Sequence, residues 1–267
     1  MNVYSTEVAE TMSLPPPVEN QAYCDVSALE AGHIEIPLAW VIDTAKDDEK
    51  AFLPALSFLL RHTTNHDTFV FDLGIRKDWE TLPPAYVARI KKMGFRVSVP
   101  QDAAASLLRG GMPATDIAHV CLSHLHFDHT GDPALFPRAT FLAGAGGRAF
   151  LAPGYPTDAD SLFAGDLLPA DRTRWLEPVG WPPLGPFAHA LDFYGDGSLY
   201  VVDAGAGHFP GHVNVLARTS GDGGGCSWRG TARMTGGCSR GRRGSRGIVC
   251  WGVRIGMGRR RRSISGG

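Results

Sequence analysis

No run of apolar residues approaches the roughly 18 to 20 that a membrane span requires, which speaks against a transmembrane protein. The N-terminus lacks the basic-then-apolar layout of a secretory leader, because Glu7 and Glu10 stand ahead of Pro15-Pro16-Pro17. Cysteine is scarce, with 5 in 267 residues and no Cys-x-x-Cys pair, so a disulfide scaffold is excluded. Together these absences lead us to expect a reducing, cytoplasmic setting. What is present is ordinary for a globular chain: 43% hydrophobic and 20% charged residues, enough for one large domain or two small ones.

The formal charge of -1 conceals two compositional regimes. From Gly221 onward there are eleven arginines, no lysine and a single acid, Asp222, so the remainder is distinctly acidic. We read 1–220 as one α/β domain and 221–267 as a Gly/Arg-rich tail. Its block Arg259 to Arg262 can contact phosphates or an acidic partner. It has no interleaved aromatics and no nucleic-acid module, so specific nucleic-acid binding is not expected and a solvated, disordered segment is the plainer reading.

Within the domain, 56–61 and 68–72 are short apolar runs joined by a polar cluster, which predicts a hairpin. Pro83-Pro84 opens a helix through Met93, with Gly94 as its stop, and Gln101 to Arg109 reads as a second, ended by Gly110-Gly111. Further strands are predicted at 117–122, 139–143, 188–193 and 199–202, the last pair joined by Gly195-Asp196-Gly197.

The chemistry concentrates where the strand at 117–122 ends, in His124-Leu125-His126-Phe127-Asp128-His129. Alternate side chains of an extended segment share a face, so His124 and His126 can point at one ion, while Asp128 and His129 come next, at a turn, and can face a second. Imidazole and carboxylate together suit zinc or another divalent transition metal. A histidine-rich polar loop is the bland alternative, and three histidines with an aspartate directly after an apolar strand count against it. A second constellation, Asp203 to His212, succeeds another apolar strand, and its glycines let the backbone present His208 from a loop. His208 supplies a third imidazole. His212 is read as holding the loop by hydrogen bonding.

Phe71-Asp72-Leu73-Gly74, the His-x-His-x-Asp-His run and Gly207-His208-Phe209-Pro210-Gly211-His212 resemble the metallo-β-lactamase superfamily, within it the N-acyl homoserine lactonase-like branch and related fungal hydrolases. The resemblance covers about Cys24 to Ser220. It implies an αββα sandwich with two zinc ions at one edge, the first held by His124, His126 and His208, the second touching Asp128 and His129, with Asp72 supporting from behind. It also implies hydrolysis of a lactone or related ester, or of a lactam or thioester, by a metal-held hydroxide. Asp128 would orient the water or pass a proton to the leaving group. Apolar residues at Leu162, Phe163, Leu167, Leu168, Trp175 and Trp181 favour a small acyl-bearing or apolar substrate.

Two departures from the family pattern stand out. Ala206 replaces the usual proline, and the later bridging aspartate and final histidine are missing, since no histidine occurs after His212. The second metal site is therefore incomplete and the sandwich lacks its closing elements, which makes an inactive, truncated product an alternative outcome. The tail's composition resembles GC-rich DNA read out of frame: codons rebuilt one base off across Ser227 to Cys238 permit a strand and then Gly-Asp. Sequencing the transcript across the codons for Thr219 to Cys226 is expected to reveal an alternate frame that continues an α/β pattern. A closed alternate frame there would refute a frameshift or mis-splicing event.

Overall fold

Strand-length apolar runs cannot bury both faces alone, and here they assemble into two sheets laid face to face. The computed structural model describes residues 14–42 and 44–229. The larger sheet contains β1 (Cys24–Pro37), β2 (Lys50–His62), β3 (Thr68–Phe71), β4 (Arg96–Ser98), β5 (His119–Leu122), β6 (Thr140–Gly144) and β7 (Thr173–Leu176), in the spatial order β4-β1-β2-β3-β5-β6-β7. The smaller contains β8 (Ala190–Asp192), β9 (Leu199–Asp203), β10 (Val213–Arg218) and β11 (Gly225–Arg229), in the order β11-β10-β9-β8. Helices α1 (Pro84–Lys92) and α2 (Ala103–Arg109) precede β5, and the one-turn helix α3 (Phe127–Thr130) comes after it.

The expected hairpin is present, with Phe58 opposite Phe71 and Arg61 opposite Thr68. Helix α1 starts at the second proline and stops at Gly94, whose φ of 71° ends the helix. Helix α2 begins two residues later than the sequence suggests, because the Asp102 carboxylate caps it by accepting from the Ala105 amide at 2.8 Å. Two long strands are not apparent from the sequence pattern. In β1 a register shift between Glu30 and His33 breaks the alternation. In β10 every residue is buried, so there is no alternation to read.

The layer between the sheets is filled by Leu60, Phe69, Phe71, Leu142, Val201 and Val215. On the outer side of the large sheet Tyr86, Ile90 and Leu107 of α1 and α2 join a cluster with Val70, Val120 and Phe141. Over the small sheet, Leu14, Leu184 and Phe187 cover Tyr200, Val202 and Leu216 in place of a helix among the described residues. The last strand, β11, pairs with β10 and so runs past the compositional boundary at Gly221. The rest of the Gly/Arg-rich tail, including Arg259 to Arg262, lies outside the described residues, as do Glu7 and Glu10. No helix among the described residues is long and apolar enough to cross a membrane.

This topology decides where chemistry can occur. Strands β3, β5, β6 and β7 run parallel, so β3 delivers Asp72, and β5 delivers Ser123 and His124, at the same edge. The loop between β9 and β10 reaches that edge from the other sheet, and the Val213 amide donates to the Ser123 carbonyl at 2.9 Å. The approach is close enough that a Cβ on Gly144 would overlap the Gly211 carbonyl, and one on Gly146 would lie 2.7 Å from the Gly211 nitrogen. Gly144→Ala should therefore lower stability by about 2–3 kcal/mol through steric displacement of the His208 loop. A melting experiment should show Tm falling by roughly 5–10 °C.

Candidate metal centre

His124 leaves the end of β5 fully inside the protein, and His126 stands next but one in extended backbone, with φ of -67° and ψ of 149°, before α3 begins. The side chains of His124 and His126 meet that of His208, which arrives from the loop after β9. His124 Nε2 lies 2.9 Å from His126 Nδ1 and 3.1 Å from His208 Nε2. One nitrogen from each imidazole falls within 4.8 Å of the others. Two ligands bound tetrahedrally at the usual zinc–nitrogen distance are separated by about 3.3 Å, so the three nitrogens have the spacing and the chemistry that a zinc-type ion needs.

Asp128 and His129 lie beside this triad. The His129 ring centroid is 4.2 Å from that of His124, and His129 Nε2 is 3.5 Å from Asp128 Oδ2. On the other side of the ring, His129 Nδ1 donates to Asp72 Oδ2 at 2.8 Å. Burial pushes the His129 imidazolium down, but Asp128 and Asp72 outweigh it and lift its pKa to about 10. Burial likewise acts upward on Asp128, and His129 and His126 overcome it to hold the carboxyl well below its ordinary range. Two carboxylates flanking one imidazole call for a positive charge, which a proton or a metal ion can supply.

The triad has the opposite electrostatics. Burial, reinforced by the neighbouring imidazoles, depresses His124 far below the ordinary histidine value. Burial also takes His126 down to about 4, with His208 and His129 adding to it against Asp128. His208 is lowered by burial and by His129. Neutral imidazoles have lone pairs to offer.

Asp72 and Ser123 determine which nitrogen offers the lone pair. The Asp72 carboxylate accepts from the Ser123 amide at 2.6 Å and from Ser123 Oγ at 2.8 Å. Having donated its proton, Ser123 Oγ accepts from His124 Nδ1 at 3.0 Å, which leaves His124 Nε2 facing the other imidazoles. Asp72 itself has a φ of 59°, held by the Ser57 hydroxyl donating to its carbonyl at 2.6 Å and by its amide donating to Cys121 at 2.9 Å. Sequence reasoning missed Ser123 and Ser57. Ser123 was findable as the hydroxyl directly before the histidine run; nothing in the sequence pointed to Ser57. His212 differs from expectation: its backbone closes the loop, its amide donating to the Phe209 carbonyl and its carbonyl accepting from the Ala204 amide, while ring Nε2 is buried without a partner.

The residues read as substrate-facing divide. Leu162, Phe163 and Leu167 line a cavity of about 460 Å³ next to α3, together with Tyr86 and Phe127. Leu168 and Trp175 join the outer core cluster, and Trp181 packs against the layer between the sheets. Asp222 lies in the turn between β10 and β11, where it bonds to Ser220, at the opposite end of β10 from Val213 and the histidines. Six residues of extended strand put it about 20 Å away. Strand β11 runs back toward the site, its Arg229 opposite Asn214. The next residues in sequence, Gly230-Thr231-Ala232, carry no metal-binding side chain.

A two-sheet sandwich with an imidazole cluster at one edge defines a class, and the comparisons place the chain in it. A family model described as the metallo-beta-lactamase superfamily matches residues 51–218, and the chain belongs to that superfamily. It is 37% identical over 231 residues to Gamma-lactamase FDB1 of Fusarium pseudograminearum, covering 79% of this chain and 54% of that protein. It is 41% identical over 163 residues to Gamma-lactamase MBL2 of Gibberella moniliformis, covering 57% of this chain and 64% of that one. The chain thus spans between half and two thirds of the length of these relatives. A solved N-acyl homoserine lactone hydrolase, with N-hexanoyl-L-homoserine bound at its catalytic metal centre, shares the fold with a TM-score of 0.59 at 16% identity, over 78% of this chain and 74% of that one.

Replacing Asp72 by Asn puts an amide N–H₂ where a carboxylate oxygen accepts, so Ser123 or His129 would meet another donor. We expect Asp72→Asn to cost about 3 kcal/mol in urea unfolding. Metal affinity should fall by about 10- to 100-fold, read by titration of the metal-free protein.

Proposed function

We propose that the chain is a metal-dependent hydrolase that opens a lactone or related ester, with zinc held by His124, His126 and His208 and a second ion beside Asp128 and His129. The observation that carries this reading is the convergence of the three imidazoles from two separate loops. Bound ions would supply a Lewis acid that polarises the scissile carbonyl and makes water acidic enough to attack at neutral pH. The protein's own part is orientation and proton handling. Asp72 and Ser123 fix the imidazole tautomers, and Asp128, a third exposed at its side chain, is the group that orients water or passes a proton to the leaving heteroatom. Leu162, Phe163 and Leu167, which line a cavity of about 460 Å³ beside α3 together with the charged Arg76, Asp132, Asp166 and Arg172, support a small acyl-bearing substrate with both apolar and polar parts. Buried, unpaired Cys24 and Cys121 are consistent with a reducing, cytoplasmic setting.

A γ-lactam is the second reading, because the relatives of 37% and 41% identity are named gamma-lactamases. The sequence after Asp222 contains no carboxylate or histidine that could join Asp128 and His129 at the second ion, as a shifted reading frame in the tail region 221–267 would explain.

Zinc-loaded protein tested on a panel of lactones, γ-lactams and thioesters is expected to hydrolyse at least one class, with the lactones first, and to lose that activity to a chelator. His208→Ala should remove at least the first ion, measured as metal per chain. One ion or fewer with no turnover on any panel member would mark an inactive, truncated product instead.

A further inference from the structure

Helix α3 is a single turn, too short to hold its own shape, since nucleating a turn fixes several dihedrals for one hydrogen bond. Its position must therefore be imposed from outside. At its C-terminal end the tethers are backbone: the Leu73 amide donates to the His129 carbonyl at 2.8 Å, and the Gly131 amide to the Gly74 carbonyl at 2.9 Å. At its N-terminal end the capping position is His126, whose ring is turned toward His124 and His208 and gives the helix no side-chain cap. The first amide of the turn, Phe127 N–H, donates instead to the phenol oxygen of Tyr86 at 3.2 Å.

Tyr86 comes from a different helix, 41 residues earlier, and is nearly buried at 7% exposure. Its ring meets Phe127 edge-on at 5.5 Å and Phe163 at 5.7 Å, so the hydroxyl is held in place by packing. Burial, with Asp128 adding to it, pushes the phenol far above its ordinary value, so it remains O–H. Because the oxygen accepts from Phe127, its proton is free to point elsewhere, and the residue lines the cavity that Thr81, Leu82, Thr130 and Phe163 enclose.

The geometry points to Tyr86 as a positioning residue for the metal centre: its phenol oxygen caps α3 and thereby sets the peptide that joins His126 to Phe127 and the directions of Asp128 and His129. This inference rests on the metal-binding reading of the three imidazoles. It also connects the cavity to the metal centre, since a ligand that accepts the Tyr86 proton contacts the group that holds α3.

Tyr86→Phe removes one oxygen and keeps the ring. Two measurements on the full chain test the role. In the metal-free protein, hydrogen exchange of the Phe127 amide should accelerate by about ten-fold or more, as expected when a buried N–H loses its acceptor. In a cobalt(II) titration the variant should bind about ten-fold more weakly than the parent, with altered ligand-field absorption bands, a signature that a purely structural loss of stability would not produce. Parent-like affinity and bands in Tyr86→Phe overturn the inference, whether or not the amide exchanges faster. A parent chain that binds no cobalt overturns the metal reading and this inference with it, so the two failures are distinguishable.

Discussion

One carboxylate, placed where the backbone turns against its preference, organises the site. Asp72 has a positive φ at the end of β3, a conformation that costs a non-glycine residue free energy. The surroundings offset that cost: Ser57 from β2 and Cys121 from β5 hold its backbone, while Ser123 and His129 donate to its side chain. Through these contacts a single residue ties the hairpin, the strand that carries the histidines and the turn of α3 into one unit. The proton positions of His124 and His129 are set by it, since a carboxylate only accepts.

The second constraint is the distance between two backbones. His208 reaches His124 only because Gly144 and Gly146 let the loop before β10 lie directly against the end of β6. Glycine matters at Gly144 for its missing Cβ, since the conformation there is one any residue adopts. The close packing turns two sheets that share an apolar layer into one rigid edge, and a rigid edge can preorganise imidazoles against their mutual crowding.

The electrostatics divide the site into two halves. The triad side is depleted of charge and offers neutral nitrogens, whereas the Asp128 and His129 side concentrates two carboxylates around one ring. That asymmetry sets a cluster of neutral imidazoles beside a ring flanked by two carboxylates.

Much of this was legible in the residues themselves. The histidine run at the end of an apolar strand pointed to an imidazole cluster at a sheet edge, because residue spacing and strand periodicity are local properties. The hairpin, α1 and the strands at the centre of the larger sheet were readable for the same reason. Features that depend on partners distant in sequence were not: the bulged β1, the fully buried β10, the bond between Asp72 and Ser123, the phenol of Tyr86 beneath α3, and the glycine contact that seats the His208 loop. Each of these is defined by a neighbour dozens of residues away. A sequence determines which atoms can bind a cation. Only packing decides which of their lone pairs face one another.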